Sequence, residues 1–357
     1  MILNELINDV RLNLPIERKN QGYEECLISK IQDYQKVISE VEPLSFPNAE
    51  YVGCLKNIVS ELSESVISTI IKNGSVLHGE AFHVMKEGII NSSNIYKQFT
   101  NSEKELLFVA RLDSDKYYRI RKSDVELNKR KDLFHIPFTH REMISTQRFS
   151  VPGLPTLYLG ATINECWREL GQPAMDRCYV TKVQTQEIIN GDFLFVDIRN
   201  WIPIFRKRLP MNKEDFEILF QYLAIWPLIA ACSVRRKFSD NNQYHFSPEY
   251  SIPQLLYQFV AQHKLPKSGK GFEGIIYSSS KRESWEYFDP KSDYSLAIPV
   301  KSLEKSAYSY ELRLKYFLSE PINLGLIKPS NHEYFEGVTE IMRSAKNKLD
   351  KFPCSMV

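Results

Sequence analysis

Apolar residues recur at helical spacing along the first part of the chain. In ECLISKIQDYQKVISEVEPL, Leu27, Ile31, Tyr34, Val37, Ile38 and Val41 fall on one face of a helix. After Pro47 the pattern repeats, with Tyr51, Leu55, Ile58, Val59, Leu62, Val66 and Ile70 on one stripe, and Asn73–Gly74 is a stop signal. The polar run NSSNIYKQFTNSEKE that follows predicts a linker. Residues 1–100 are therefore expected to form a helical region. No acid, base and nucleophile combination stands out in it, so packing, dimerisation, regulation or sensing suits it better than catalysis.

From residue 105 the period shortens. ELLFVARL, TLYLGA, RCYVTKVQ, FLFVDI, GIIYSSS and SLAIPVKS are short runs rich in strand formers. EDFEILFQYLAIWPLIAACSV predicts a helix broken or kinked at Pro227. IPQLLYQFVAQH predicts a second helix, with Pro253 suited to its first turn. Strands interrupted by few helices indicate an α+β domain over 105–310 rather than a βαβ repeat. The remainder, 311–357, is expected to be an extension whose tail, NHEYFEGVTEIMRSAKNKLDKF, forms an amphipathic helix with a basic end. The run KSDVELNKRKD is expected to be solvated surface.

Composition narrows the function classes. The chain has 357 residues, 43% hydrophobic and 25% charged, which is ordinary globular composition and more than one core usually organises. A net charge of only +2 argues against a protein built to neutralise nucleic-acid backbones. The six cysteines include no CxxC pair and no zinc-ligand spacing, so reduced, packed thiols are expected, and no metal. His78 and His83 do not have the spacing of a helical metal pair. The N-terminus lacks the basic head and apolar run of a signal peptide, and the most apolar stretch, LAIWPLIAAC, is too short to span a membrane. A cytoplasmic chain with no membrane partner is the expectation. Neither a P-loop nor a GxGxxG turn is present.

The chemistry concentrates in residues 134–170. Pro152, Gly153 and Pro155 make a stiff turn, preceded by Arg148 and followed by a strand carrying Tyr158. Thr162 and Glu165 have capping-box spacing at the start of the next helix, so Glu165 is expected to cap it. Glu169 lies one turn further on, where capping cannot explain it.

This text, RFSVPGLPTLYLG…CWREL, resembles the RES-domain family. The family pattern is an Arg before a Gly–x–Pro turn, a Tyr-bearing strand, and a helix ending in Glu, matched here by Arg148, Tyr158 and Glu169. YSIPQLLYQFV and GFEGIIYSSSK resemble the family's later helix and serine-bearing strand, which makes Ser279 the family serine, with Ser278 and Ser280 flanking it. FHIPF, with His135, resembles a block of longer members. The likeness covers roughly 105–310 and leaves the first 100 residues unmatched. It implies an ADP-ribosyltransferase-like mixed sheet, breakdown of NAD⁺ by hydrolysis or phosphorolysis, and the toxin half of a toxin–antitoxin pair, with an antitoxin or regulatory protein as partner. NAD⁺ is then substrate and no resident cofactor is expected.

The residue types suit that reaction. Nicotinamide leaves neutral from a cationic ring, so no leaving-group acid is needed, and the transition state is oxocarbenium-like. An ionised Glu169 can stabilise that charge and hold a ribose hydroxyl. Guanidinium matches the diphosphate, with Arg148 first choice and Arg111 second. Tyr158 offers a ring face for nicotinamide, and Ser279 a hydroxyl for ribose or phosphate. Two other readings stand beside this one. The first is ADP-ribosyl transfer to a macromolecule, weakened because Glu165 and Glu169 are separated by three residues where many such transferases separate two glutamates by one. The second is a silent domain that binds a nucleotide or partner.

Overall fold

The helical region is built from α1 (Leu3–Asn8), α2 (Tyr23–Ser39), α3 (Ala49–Gly74) and α4 (His78–Thr100). The computed structural model describes all residues except 44–45, 47–48, 76, 102–105, 107–108, 111–115, 187–192, 209–210, 237–246, 266–268, 283–287, 302–306 and 328–336. The apolar stripes of α2 and α3 are buried as their periodicity predicts. The expected linker after residue 90 is a different matter, because α4 runs on to Thr100 and ends at Asn101, whose left-handed backbone (φ 45°) donates to the Lys97 carbonyl. Ile89, Ser92, Ser93 and Tyr96 form a buried inner face there. Its serines are small rather than exposed. Gly88 lets α4 close on α3, since a Cβ at that position would stand 2.0 Å from Ser65 Oγ.

The remaining elements are β1 (Val109–Ala110), β2 (Lys116–Lys122), β3 (Thr156–Gly160), α5 (Ile163–Glu169), β4 (Cys178–Thr185), β5 (Phe195–Ile198), α6 (Ile202–Phe205), α7 (Lys213–Cys232), α8 (Ser251–Gln262), β6 (Gly274–Tyr277), β7 (Ser295–Pro299), α9 (Tyr310–Lys315), β8 (Tyr316–Leu318), β9 (Ile322–Asn323) and α10 (Gly337–Asp350). The fold is α+β, with a mixed sheet and an N-terminal helical region. β2, β8 and β9 were not expected from the sequence. Of the ELLFVARL run, only Val109–Ala110 is described as strand.

Pro227 neither breaks nor ends α7. A proline has no N–H to give the carbonyl four residues back, so Leu223 O lacks its helical partner. The Tyr34 hydroxyl of α2 donates to it at 2.5 Å, and the Tyr34 ring stacks on Trp226 at 4.2 Å. By length and composition α7 is apolar enough to cross a membrane, but 78% of that stretch is buried inside the protein. It is the central helix of one hydrophobic cluster shared by α2, α3, α4, α8 and the inner faces of β5 and β6. The N-terminal segment adds a parallel bridge, Ile16 to Val234, and two ion pairs, Glu17–Arg235 (2.7 Å) and Arg18–Glu249 (3.3 Å).

The sheet runs β1-β5-β6-β7-β3-β2-β4-β8, with β9 also on β4; β5 and β6 are parallel and the other neighbours antiparallel. Its pairing is uneven. β2 pairs with β4 from Lys116 to Lys122, and β3 with β7 from Thr156 to Gly160, but β2 and β3 meet only at Tyr118–Gly160. Two half-sheets are therefore joined at one point and part beyond it. α5 and α10 cover the outer face of β2 and β4 through Ile163, Cys166, Ala345 and Leu349.

Candidate active site

A cleft of about 1090 Å³ opens where β2 and β3 part. Arg148, Tyr158 and Glu169 all line it. Each arrives on a different kind of local structure.

Arg148 lies on the loop before β3. That loop turns at Pro152–Gly153, where Gly153 has φ +77° and Leu154 N–H bonds Val151 O at 3.0 Å, a conformation that favours glycine. Gln254 of α8 steadies it by donating to the carbonyls of Gln147 (3.1 Å) and Ser150 (3.0 Å). The guanidinium donates to Cys232 O (2.9 Å), Val234 O (2.9 Å) and Ser280 Oγ (2.8 Å), and lies 5.2 Å from the Tyr250 ring centre. Cys232 ends α7, so Arg148 places its charge against the negative end of a helix dipole.

Tyr158 is half-buried, and its hydroxyl is sealed from solvent. Ser150 and the Phe149 backbone lie beside that hydroxyl, but neither meets it with hydrogen-bond geometry. Burial pushes its pKa far up, and the Glu169 carboxylate adds to the shift. Glu169 is half-buried at the last turn of α5. Its carboxylate acts electrostatically on Tyr158, Tyr277 and Lys281, and its main-chain carbonyl accepts from Lys281 Nζ. Arg148, Tyr158 and Glu169 thus line one cavity.

The other expected residues divide. Ser279 is fully buried and does not line the cleft; Ser280 does, and accepts from Arg148. The serine that lines the cleft is thus the neighbour of the expected one, in the chain just past the end of β6 at Tyr277. His135 is also fully buried and away from the cleft. Its Nδ1–H donates to Ile136 O (2.8 Å) and its Nε2 accepts from Ser309 N–H (2.9 Å), a neutral ring locking two loops together. Arg111 lies outside the described residues.

Glu165 needs correction as well. Thr162 Oγ1 does accept from Glu165 N–H at 3.1 Å, but the Glu165 carboxylate does not reach back to close the capping box. It is fully buried and paired with Arg168 and Arg282, two residues that line the cleft. Burial raises its pKa, against the pull of Arg282 and Arg168.

Among the described residues, nine of the lining side chains are Lys or Arg and one, Glu169, is acidic, so an anion is the ligand this cleft suits. Sequence reasoning missed Arg119 and Arg121 because β2 itself was missed. Its signal was the β-branched and aromatic content of KYYRIRK. Arg119 donates to Tyr158 O at 2.7 Å, across the gap between β2 and β3.

Comparison with known proteins gives one relative to report. The chain is 30% identical over 327 residues, 87% of its length and 68% of the other's, to the Bacillus subtilis protein named "Putative toxin YopC". No family profile matches the chain, and no solved structure matches it.

Proposed function

The chain belongs to the family of YopC, and from that premise we propose that it is an NAD⁺-degrading toxin of the RES type, cleaving the bond between nicotinamide and ribose. The observation that carries this reading is the convergence of Arg148, Tyr158 and Glu169 on one basic cleft. On this reading the sheet is an ADP-ribosyltransferase-like core and NAD⁺ is consumed.

Each group has a task suited to its surroundings. Arg148, fixed by three hydrogen bonds, keeps two of its five N–H groups for the diphosphate. Tyr158 supplies an aromatic wall whose hydroxyl stays protonated. Glu169 faces the ribose and stabilises positive charge developing at C1′ as nicotinamide departs neutral. Water or phosphate then attacks the cation. Transfer to a macromolecule fits less well, because Glu165 is buried beneath Arg168 and Arg282 and cannot serve an acceptor as a second carboxylate.

The test is product analysis after incubation with NAD⁺, with and without inorganic phosphate. Free nicotinamide is expected, and Glu169→Ala should slow its release by about a hundredfold or more. Expression of the wild-type chain should lower cellular NAD⁺ and arrest growth, and the Glu169→Ala chain should do neither. Undiminished turnover by Glu169→Ala, or stable label on macromolecules from labelled NAD⁺, would overturn the reading.

A further inference from the structure

The positive charges of the cleft fall into groups that differ in what balances them. Arg168 and Arg282 share Glu165, and Arg282 also lies 3.4 Å from Asp293, so two cations meet two carboxylates. Arg235 is paired with Glu17. Arg148 and Lys281 interact with each other, and Glu169 stands beside Lys281. This last group suits a diphosphate whose ribose faces Glu169.

Lys122 is exposed at the end of β2, and Arg236 acts on Lys281. Arg119 and Arg121 remain. They are alternate residues of β2, so their side chains leave the same face about 6.6 Å apart along the strand. Among the described residues neither makes an ion pair. Arg119 bonds the Tyr158 carbonyl and Arg121 the Asp132 carbonyl, both neutral acceptors. Asp132 acts on Arg121 only through space, and its own carboxylate accepts from Lys129 N–H at 3.0 Å. Arg119 Nε is sealed from solvent with no hydrogen-bond partner. Burial, then the charge of Arg121, pulls the Arg119 pKa down to about 10. Two guanidinium groups held close without an ion pair to either repel each other, and a bound dianion relieves that repulsion.

NAD⁺ brings two phosphate charges, opposed by one positive charge on its nicotinamide. Arg148 and its neighbours are enough to meet them. We propose that Arg119 and Arg121 form a second anion subsite, for a phosphate monoester dianion carried by the dinucleotide itself, so that the preferred substrate is the 2′-phosphorylated form, NADP⁺. This rests on the NAD⁺-degrading reading and narrows it to a substrate class. Paired guanidinium forks suit a monoester, which offers three terminal oxygens and nearly two charges at neutral pH.

The experiment measures nicotinamide release from NADP⁺ and NAD⁺ by the full chain, each with and without inorganic phosphate, alongside calorimetric binding of both dinucleotides. Expected is a kcat/KM for NADP⁺ higher by on the order of ten- to a hundredfold. That ratio should fall to near one in Arg121→Ala and lie between in Arg121→Lys, with both variants melting like the wild type. If Arg121→Ala is unfolded, the ratio measured for Arg121→Lys decides. Equal turnover of the two dinucleotides overturns the subsite and leaves the NAD⁺ reading standing. So does phosphate-dependent cleavage of NAD⁺ lost in Arg121→Ala, which would assign the subsite to free phosphate. If neither is cleaved but NADP⁺ binds at least about tenfold tighter, the enzymatic reading falls and the subsite stands. If neither is cleaved and neither binds, both fall.

Discussion

Glu165 shows how much the site depends on a side chain that never meets the cavity. It is fully buried, and two arginines on the cleft wall, one of them 117 residues away, depend on its charge. Replacing it with glutamine keeps the size but leaves Arg168 and Arg282 without that charge, which for a buried pair costs about 3–5 kcal/mol. Glu165→Gln is therefore expected to lower the unfolding free energy by that order in a denaturant titration, and to weaken ligand binding with it. A variant of wild-type stability would mean that Asp293 alone balances Arg282. The residue also marks the limit of local reading. Thr162 and Glu165 have the spacing of a capping box, and half the box exists, but Arg282 is beyond the reach of any local pattern. Arg148, Tyr158 and Glu169 were legible because the turn, strand and helix that aim them are contiguous. Arg119 and Arg121 were not, since basic and apolar side chains intermix along β2 and blur its period of two.

Among the elements, α7 carries an unusual dependence. Its proline leaves the Leu223 carbonyl without a helical donor, and a tyrosine from α2 takes that place. Tyr34→Phe should cost about 1–3 kcal/mol, the penalty of an unsatisfied buried acceptor. In a Pro227→Ala background a backbone N–H is restored, so the same substitution should cost clearly less. A double-mutant cycle by urea denaturation measures the difference, and strict additivity would refute the account. The sequence predicted a break or kink at Pro227 because a helix read by itself cannot show a donor supplied by another helix. The continuation of α4 was hidden for a related reason. Ser92 and Ser93 look like loop residues in isolation, yet they are buried small residues of α4.

At the scale of the whole molecule, the helical region and the sheet are interdependent. Ile16 bridges to Val234, and the Val234 carbonyl is one of the acceptors that hold Arg148. The first segment of the chain therefore supports a wall of the cleft. Fold class was legible at this scale because helical and strand periods occupy separate stretches. The order of the strands was not, since it depends on pairings between segments far apart in sequence, such as β3 with β7. The same uneven pairing sets where the molecule yields first. A ladder with one rung between β2 and β3 is a fault line through an otherwise continuous sheet, and Arg119 spans it like a staple. Amide protons beside that line should exchange with solvent well before those of β6 and β7, and a bound polyanion gripping Arg119 should slow them. The cavity proposed to take the dinucleotide is thus also the crack along which the sheet would open, and filling it should strengthen the whole chain.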